Sequence, residues 1–315
     1  MVSYPEVWNN PLVAKNRNAP VLNSPNIRGA ALMTASMTAF TVNDAFLKLL
    51  GVELPFFQIL FLRSIGVVLL FAAMLRIRGG FALPPSTSDR RLIGIRCLAE
   101  IGAAYFFITA LFHMPLANVS AILQSLPLAV TLGAALFLGE PVGWRRFLAI
   151  AVGFAGVMLI VRPGGTDFTV HSLYAVGAVL CVTVRDLAAR RLSYEVSSMT
   201  VAFAAAIAVL MFTAVGAVFT EWVPMTSTHW VWLAASTIFI LGGYLFSVMA
   251  MRVGEIGAVA PFRYSSLVVA LILGFLVFGD WPDNLTLIGA AIVVSMGLFT
   301  LWRETRLRRP EATPK

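Results

Sequence analysis

Charge is scarce in this chain. Only 12% of its 315 residues are Asp, Glu, Lys or Arg, while 59% are hydrophobic and the mean hydropathy is +0.86. Soluble domains carry roughly a quarter charged residues, so a soluble globular fold is excluded. Cysteine is nearly absent: Cys97 and Cys181 both fall inside apolar runs, which argues against a disulfide framework and offers no metal-ligand spacing. No GxxxxGK[ST] phosphate loop, HExxH pair or GxSxG elbow occurs. ATP hydrolysis, zinc proteolysis and nucleophile-elbow hydrolysis therefore have no sequence basis, and neither an enzyme, a metal nor a cofactor is expected. Residues 1–27 lack the apolar core of a cleavable signal peptide and read as a polar, Asn- and Pro-containing tail.

What the chain has instead is apolar runs. A helix needs about 20 apolar residues to cross a ~30 Å hydrocarbon core. Ten runs qualify: 28–50, 54–75, 92–113, 115–138, 147–161, 172–190, 197–219, 230–251, 256–278 and 284–302, the fifth being short. The expectation is an all-α membrane protein with ten spans. In the fourth run, Ser120, Gln124, Pro127 and Thr131 share a face, and Pro127 frees a carbonyl that can bend the helix. In the fifth, Ala149, Gly153 and Gly156 form a small-residue face suited to close helix packing.

The net charge of +8 does not point to nucleic acid. With the N-terminus inside, Lys15, Arg17, Arg28, Arg76, Arg78, Arg90, Arg91, Arg145, Arg146, Arg190, Arg191, Arg252, Arg303, Arg306, Arg308, Arg309 and Lys315 fall in internal segments. Only Arg162 falls outside. This is the positive-inside pattern and places both termini in the cytoplasm.

The chain also repeats itself. TVNDAFLKLL (41–50) matches TVRDLAARRL (183–192) at Thr, Val, Asp and the last Leu; LFLGE (136–140) matches LVFGD (276–280); AAY (103–105) matches GGY (242–244). The period is close to 140 residues throughout. The organisation expected is a tail (1–27), one repeat (28–162), a second repeat (170–302) and a basic tail (303–315). Five spans per repeat is an odd number, so the second copy enters the membrane inverted. A 5+5 inverted-topology repeat is a signature of alternating-access transporters, with the site near the midplane.

These ten spans, the period and the GEP/GDW turns after the fourth and ninth spans resemble the drug/metabolite transporter (DMT) superfamily. Within it the chain is most similar to bacterial EamA-type carriers, over roughly residues 28–302. The resemblance implies a ten-helix fold around a central cavity, in which the fourth and ninth helices commonly contribute to substrate contact. It also implies a multi-pass protein of the bacterial cytoplasmic (inner) membrane. The function expected is a secondary transporter of a small organic metabolite, with riboflavin, aromatic amino acids and S-adenosylmethionine among the family's cargoes. A drug or metabolite exporter is the alternative, and a non-transporting scaffold or sensor the remote one. The partners expected are the metabolite, the bilayer and a second copy packed through small-residue faces; nucleic acid is not among them.

A charge at mid-bilayer costs about 2.5–3.5 kcal/mol on insertion scales, so each one needs a partner or a cavity. Lys48, Arg63, Arg96, Arg185 and Arg263 stand against Asp44, Glu100 and Asp186, a positive excess that favours carboxylate, phosphate or electron-rich rings. Arg263 with Tyr264 is the first substrate-binding candidate: a planar guanidinium beside a ring, with no acid three or four residues away. The alternative is an Arg snorkelling to the cytoplasmic edge. Gln124 faces either the cavity or a neighbouring helix. Tyr105 and Tyr244, in matching places of the two repeats, either stack on a flat substrate or belong to an interfacial belt. Arg185 is a further substrate candidate, and Arg63 is expected to pack against an acid of another helix. Asp44/Lys48, Asp186/Arg190 and Arg96/Glu100 are spaced i,i+4 on one helix face, as local ion pairs that lower insertion cost or as gating and coupling groups.

Overall fold

A computed structural model describes residues 25–77, 86–164, 169–193 and 195–307. The expected tails, apart from residues 25–27 and 303–307, lie outside the described residues, as do residues 78–85 of the basic loop after the second run. Within the described residues the chain is helical, without strands: α1 (Pro25–Glu53), α2 (Phe56–Ile77), α3 (Thr87–His113), α4 (Leu116–Leu123), α5 (Leu126–Leu138), α6 (Trp144–Val161), α7 (Val170–Arg190), α8 (Ser198–Val218), α9 (Ser227–Val253), α10 (Ile256–Val259), a 3₁₀ turn (Ala260–Tyr264), α11 (Ser265–Phe278) and α12 (Asn284–Leu307).

Among the described residues, nine helices are long and apolar enough to cross a membrane, with α4–α5 counted as one and the α10–α11 stretch as another. The first expected span is not among the nine. At 29 residues α1 is about 44 Å long, ample for a bilayer. Its composition is diluted by polar groups that the fold turns inward: Ser36 Oγ donates to the Gly243 carbonyl (2.6 Å), and Thr34, Thr38 and Thr41 each donate to the carbonyl four residues back.

Local chemistry sets the boundaries. Met114 is forced into extended geometry by Pro115 and stops α3. The fourth span breaks between Leu123 and Leu126, because Pro127 has no N–H for the Leu123 carbonyl; Ser125 Oγ caps the neighbouring Ile122 carbonyl (2.7 Å). The ninth breaks at the 3₁₀ turn containing Pro261, where Ser265 Oγ takes the Phe262 carbonyl (2.7 Å). The half-helices α5 and α11 end alike, on Gly139 (φ 68°) and Gly279 (φ 69°) in the left-handed region.

Four pairings organise the bundle: α1 with α9, α3 with α7, α2 with α8, and α6 with α12. In the last, a Cβ at Gly156 would lie 2.9 Å from the Gly289 carbonyl oxygen, and one at Gly289 would lie 2.6 Å from that of Gly156. The backbones meet there because neither residue has a side chain. The small-residue face expected on the fifth span is thus spent inside the chain. A buried core joins α3, α4, α6, α7 and α12 through Ala110, Ile122, Val157, Val179 and Val293; a second gathers Leu47, Leu50, Ile59, Leu111, Leu116 and Leu233.

Cross-links mark two ends. At one, Lys48 Nζ donates to the Leu111 (3.1 Å) and Met114 (2.7 Å) carbonyls, and His229 Nε2 meets Glu53 Oε2 (2.8 Å). At the same end His113 stacks on His171 (4.0 Å, 7°), and Arg162 pairs with Asp283. At the other, Asp89 accepts from the Ser193 N–H (3.1 Å) and Oγ (2.8 Å), and Arg190 Nη1 meets Glu140 Oε1 (3.2 Å).

Candidate functional site: a charged cluster around Tyr244

Five helices send polar groups to one place. Arg185 of α7 is the hub: its Nε donates to Asp186 Oδ1 (3.0 Å) and its Nη1 to Glu100 Oε1 of α3 (3.4 Å). The planar guanidinium can serve two acids at once, as an ammonium point charge cannot. From α1, Asn43 Nδ2 donates to Asp44 Oδ1 (2.8 Å), and from α2, Arg63 Nη2 donates to Asn43 Oδ1 (3.3 Å), within electrostatic reach of Asp44. Tyr244 of α9 stands among them, with Glu100, Arg185, Arg63 and Arg96 all in electrostatic reach. Its ring meets the edge of Phe40 at 5.3 Å, yet 48% of the residue is exposed. Tyr244 is thus reached by charges from three neighbouring helices while about half of its surface stays uncovered by protein.

The cluster sums to neutrality: Arg63, Arg96 and Arg185 against Asp44, Glu100 and Asp186. The positive excess expected from sequence does not converge here, because Lys48 and Arg263 are elsewhere. Two guanidinium nitrogens, Nε of Arg63 and Nε of Arg96, are buried without a hydrogen-bond partner among the described residues. Both atoms are closed to solvent in this conformation, so each would gain from an acceptor only after its side chain moves.

The three expected i,i+4 pairs do not form among the described residues. Glu100 turns from Arg96 to Arg185, Asp186 from Arg190 to Arg185, and Arg190 to Glu140. Lys48 leaves Asp44 for two carbonyls at the end of α3, where orphan acceptors and the negative end of the helix dipole both attract a cation. A neighbouring helix offered better geometry than the residue one turn away, and helical spacing carries no information about neighbours.

The remaining candidates disperse. Arg263 is exposed on the 3₁₀ turn and is not among the charges around Tyr244, while Tyr264 is buried against Gly297 of α12. Gln124 faces a neighbouring helix: its Nε2 donates to Ser266 Oγ of α11 (2.8 Å). Tyr105 lies in an aromatic cluster with Phe56 (5.6 Å), Phe106 (5.6 Å) and Tyr174 (6.2 Å), apart from Tyr244. A void of about 860 Å³ runs along the other face of α9, lined by Thr34, Thr38, Ile238, Phe239 and Phe246; it is almost wholly apolar and does not include the cluster. Sequence reading passed over Asn43 and Glu140. Glu140 stood in the LFLGE motif, the one signal that could have raised it.

Fold and site together define a multi-pass helical membrane protein with a charge-balanced polar centre. The model of the EamA-like transporter family matches the chain twice, over residues 27–162 and 170–302. The chain belongs to the EamA-like transporter family. It is 24% identical over 288 residues to an S-adenosylmethionine uptake transporter of Rickettsia prowazekii, covering 89% of this chain and 94% of that protein. It is 30% identical over 280 residues to the pseudopaline exporter CntI of Pseudomonas aeruginosa (84% and 93% covered). It is also 30% identical over 213 residues to a riboflavin transporter of Vibrio cholerae (67% and 72% covered). A solved crystal structure of a protein with 18% sequence identity superposes with a TM-score of 0.59, covering 88% of this chain and 99% of that one, and supports the fold alone.

Proposed function

We propose that this transporter of small metabolites is a secondary carrier working by alternating access, with the cluster around Tyr244 as its substrate site. The observation that carries the reading is the cluster itself: six charges from four helices around a half-exposed Tyr, with two guanidinium donors unspent. Ionisable groups at membrane depth mark a pathway unless they are fully paired.

The reading includes α1 as a tenth span and a 5+5 inverted repeat. Its support is internal symmetry. α1–α9 and α7–α3 are the same pairing taken from opposite halves, while α2–α8 and α6–α12 each join a helix to its counterpart. Gly139 and Gly279, and Ser125 and Ser265, do the same local work 140 residues apart. The reading also places the Arg190 end, with both termini, in the cytoplasm, since Arg76, Arg90, Arg91, Arg145, Arg146 and Arg252 lie at that end.

Relatives are named for S-adenosylmethionine, riboflavin and pseudopaline, and for both uptake and export. We take the substrate from that range of small metabolites, with a carboxylate or another acceptor facing Arg63 and Arg96. The test is uptake and efflux of a labelled panel containing these compounds and aromatic amino acids, in proteoliposomes with and without a proton gradient. Accumulation of at least one compound is expected, and loss of that accumulation in Arg96→Ala; a panel moved equally well without the cluster overturns the site.

A further inference from the structure

Lys48 and Arg190 hold the same place in the two matched stretches, 41–50 and 183–192, and the fold sets them at opposite ends of the bundle. Each leaves its own helix for the end of others. Arg190 pairs with Glu140 at 3.2 Å, and the adjacent Arg191 donates to the Phe137 carbonyl at the end of α5. Lys48 holds the Leu111 and Met114 carbonyls, sits 5.4 Å from the Phe278 ring at the end of α11, and lies within electrostatic reach of Asp280.

The partners are counterparts too. Glu140 and Asp280 each follow the left-handed glycine that ends a half-helix, α5 or α11. Each half-helix begins at a break, between Leu123 and Leu126 or at the 3₁₀ turn, where the backbone ladder is already interrupted. A half-helix bounded by a break and a glycine stop can shift as one piece, and its far end then needs a tether that lets go. The Arg190–Glu140 pair suits that role: both side chains are about half exposed, at 49% and 53%, so water can replace the contact at little cost.

We propose that Lys48 with Asp280 and Arg190 with Glu140 are the two latches of one gate, repeated at opposite ends, each holding its end closed and released in turn. The proposal rests on the alternating-access reading. It makes the cations and the acids after α5 and α11 the positioning residues of transport, in place of the local Asp44/Lys48 and Asp186/Arg190 pairs.

The experiment reads side-specific accessibility. Tyr244→Cys is introduced with Cys97→Ser and Cys181→Ser, and an impermeant thiol reagent is applied to right-side-out or inside-out vesicles, normalised to total thiol after denaturation. Arg190→Gln should raise labelling from the Arg190 end about tenfold and lower it from the other; Lys48→Gln should do the reverse. The swap Arg190→Glu with Glu140→Arg should return labelling to the starting ratio, and the opposite signs of the two single variants are what a merely structural contact would not produce. Equal changes from both sides, or no rescue by the swap, overturns the latches while leaving alternating access standing. Labelling of Tyr244→Cys from neither side before any latch is altered overturns the site at Tyr244 and the latches with it.

Discussion

Gln124 and Ser266 are 142 residues apart in the chain and 2.8 Å apart in space, Nε2 donating to Oγ. They tie the first broken helix to the second, beside both breaks. Gln124 is 7% exposed, so its amide has little access to water as a substitute partner. Ser266 Oγ in turn donates to the Arg263 carbonyl (3.1 Å), which makes the contact part of a short relay.

Gln124→Ala should therefore destabilise the detergent-solubilised protein by about 1–3 kcal/mol, the cost of orphaning or emptying a buried polar site. Ser266→Ala should cost about 1 kcal/mol, and the double variant less than the sum of the two. Thermal unfolding followed by a thiol-reactive dye measures all three; strict additivity would mean that the bond contributes nothing.

Arg185→Ala should lower transport of any accumulated substrate by tenfold or more, because it leaves Glu100 and Asp186 uncompensated beside Tyr244. Arg263→Ala should lower it far less, since that side chain is exposed and outside the cluster. Uptake per unit of membrane-inserted protein separates the two; the reverse ranking would move the site to the 3₁₀ turn.

Topology has a direct test. Ser86→Cys and Glu221→Cys, both at exposed positions near helix ends, should react with an impermeant reagent from opposite faces, Ser86→Cys from the cytoplasmic side only. Labelling of Ser86→Cys in intact cells would invert the proposed orientation.

The Arg162–Asp283 pair should make stability pH-dependent at the Lys48 end. The hydrogen bond from Arg162 holds the Asp283 carboxyl down to about 2, below its ordinary value of 3.8. A carboxyl lowered by folding stabilises fully above its unfolded value and loses that contribution as pH falls towards its folded one. The pair is exposed enough that at most about 1 kcal/mol is at stake. Asp283→Asn, which keeps the acceptor for the Thr286 N–H (2.8 Å), should melt slightly earlier than the unmodified protein at pH 6, and the gap should close as pH falls below 3; a gap that persists would mean that the carboxylate's charge is not its source.

Sequence alone determined that this is a helical membrane protein and where most of its helices begin and end. Those features are local or one-dimensional: apolar length, the stop imposed by Pro115, and the glycines that end α5 and α11. The same logic located a break in the fourth span from Pro127, and it picked out Asp44, Glu100, Arg185, Asp186 and Tyr244 as costly or unusual residues at membrane depth.

The tertiary structure alone decided who meets whom. Helical spacing put Glu100 beside Arg96, yet the carboxylate lies against Arg185, 85 residues away, and Lys48 ends on the carbonyls of α3. Arg263 and Tyr264 looked like a binding pair and were separated, one to the surface and one into packing against Gly297. The physical reason is that a charge in an apolar medium takes the partner with the best geometry wherever the chain supplies it. That choice depends on which helix faces cross, and helix crossings are set by close approaches such as Gly156 on Gly289, whose partners the sequence does not name.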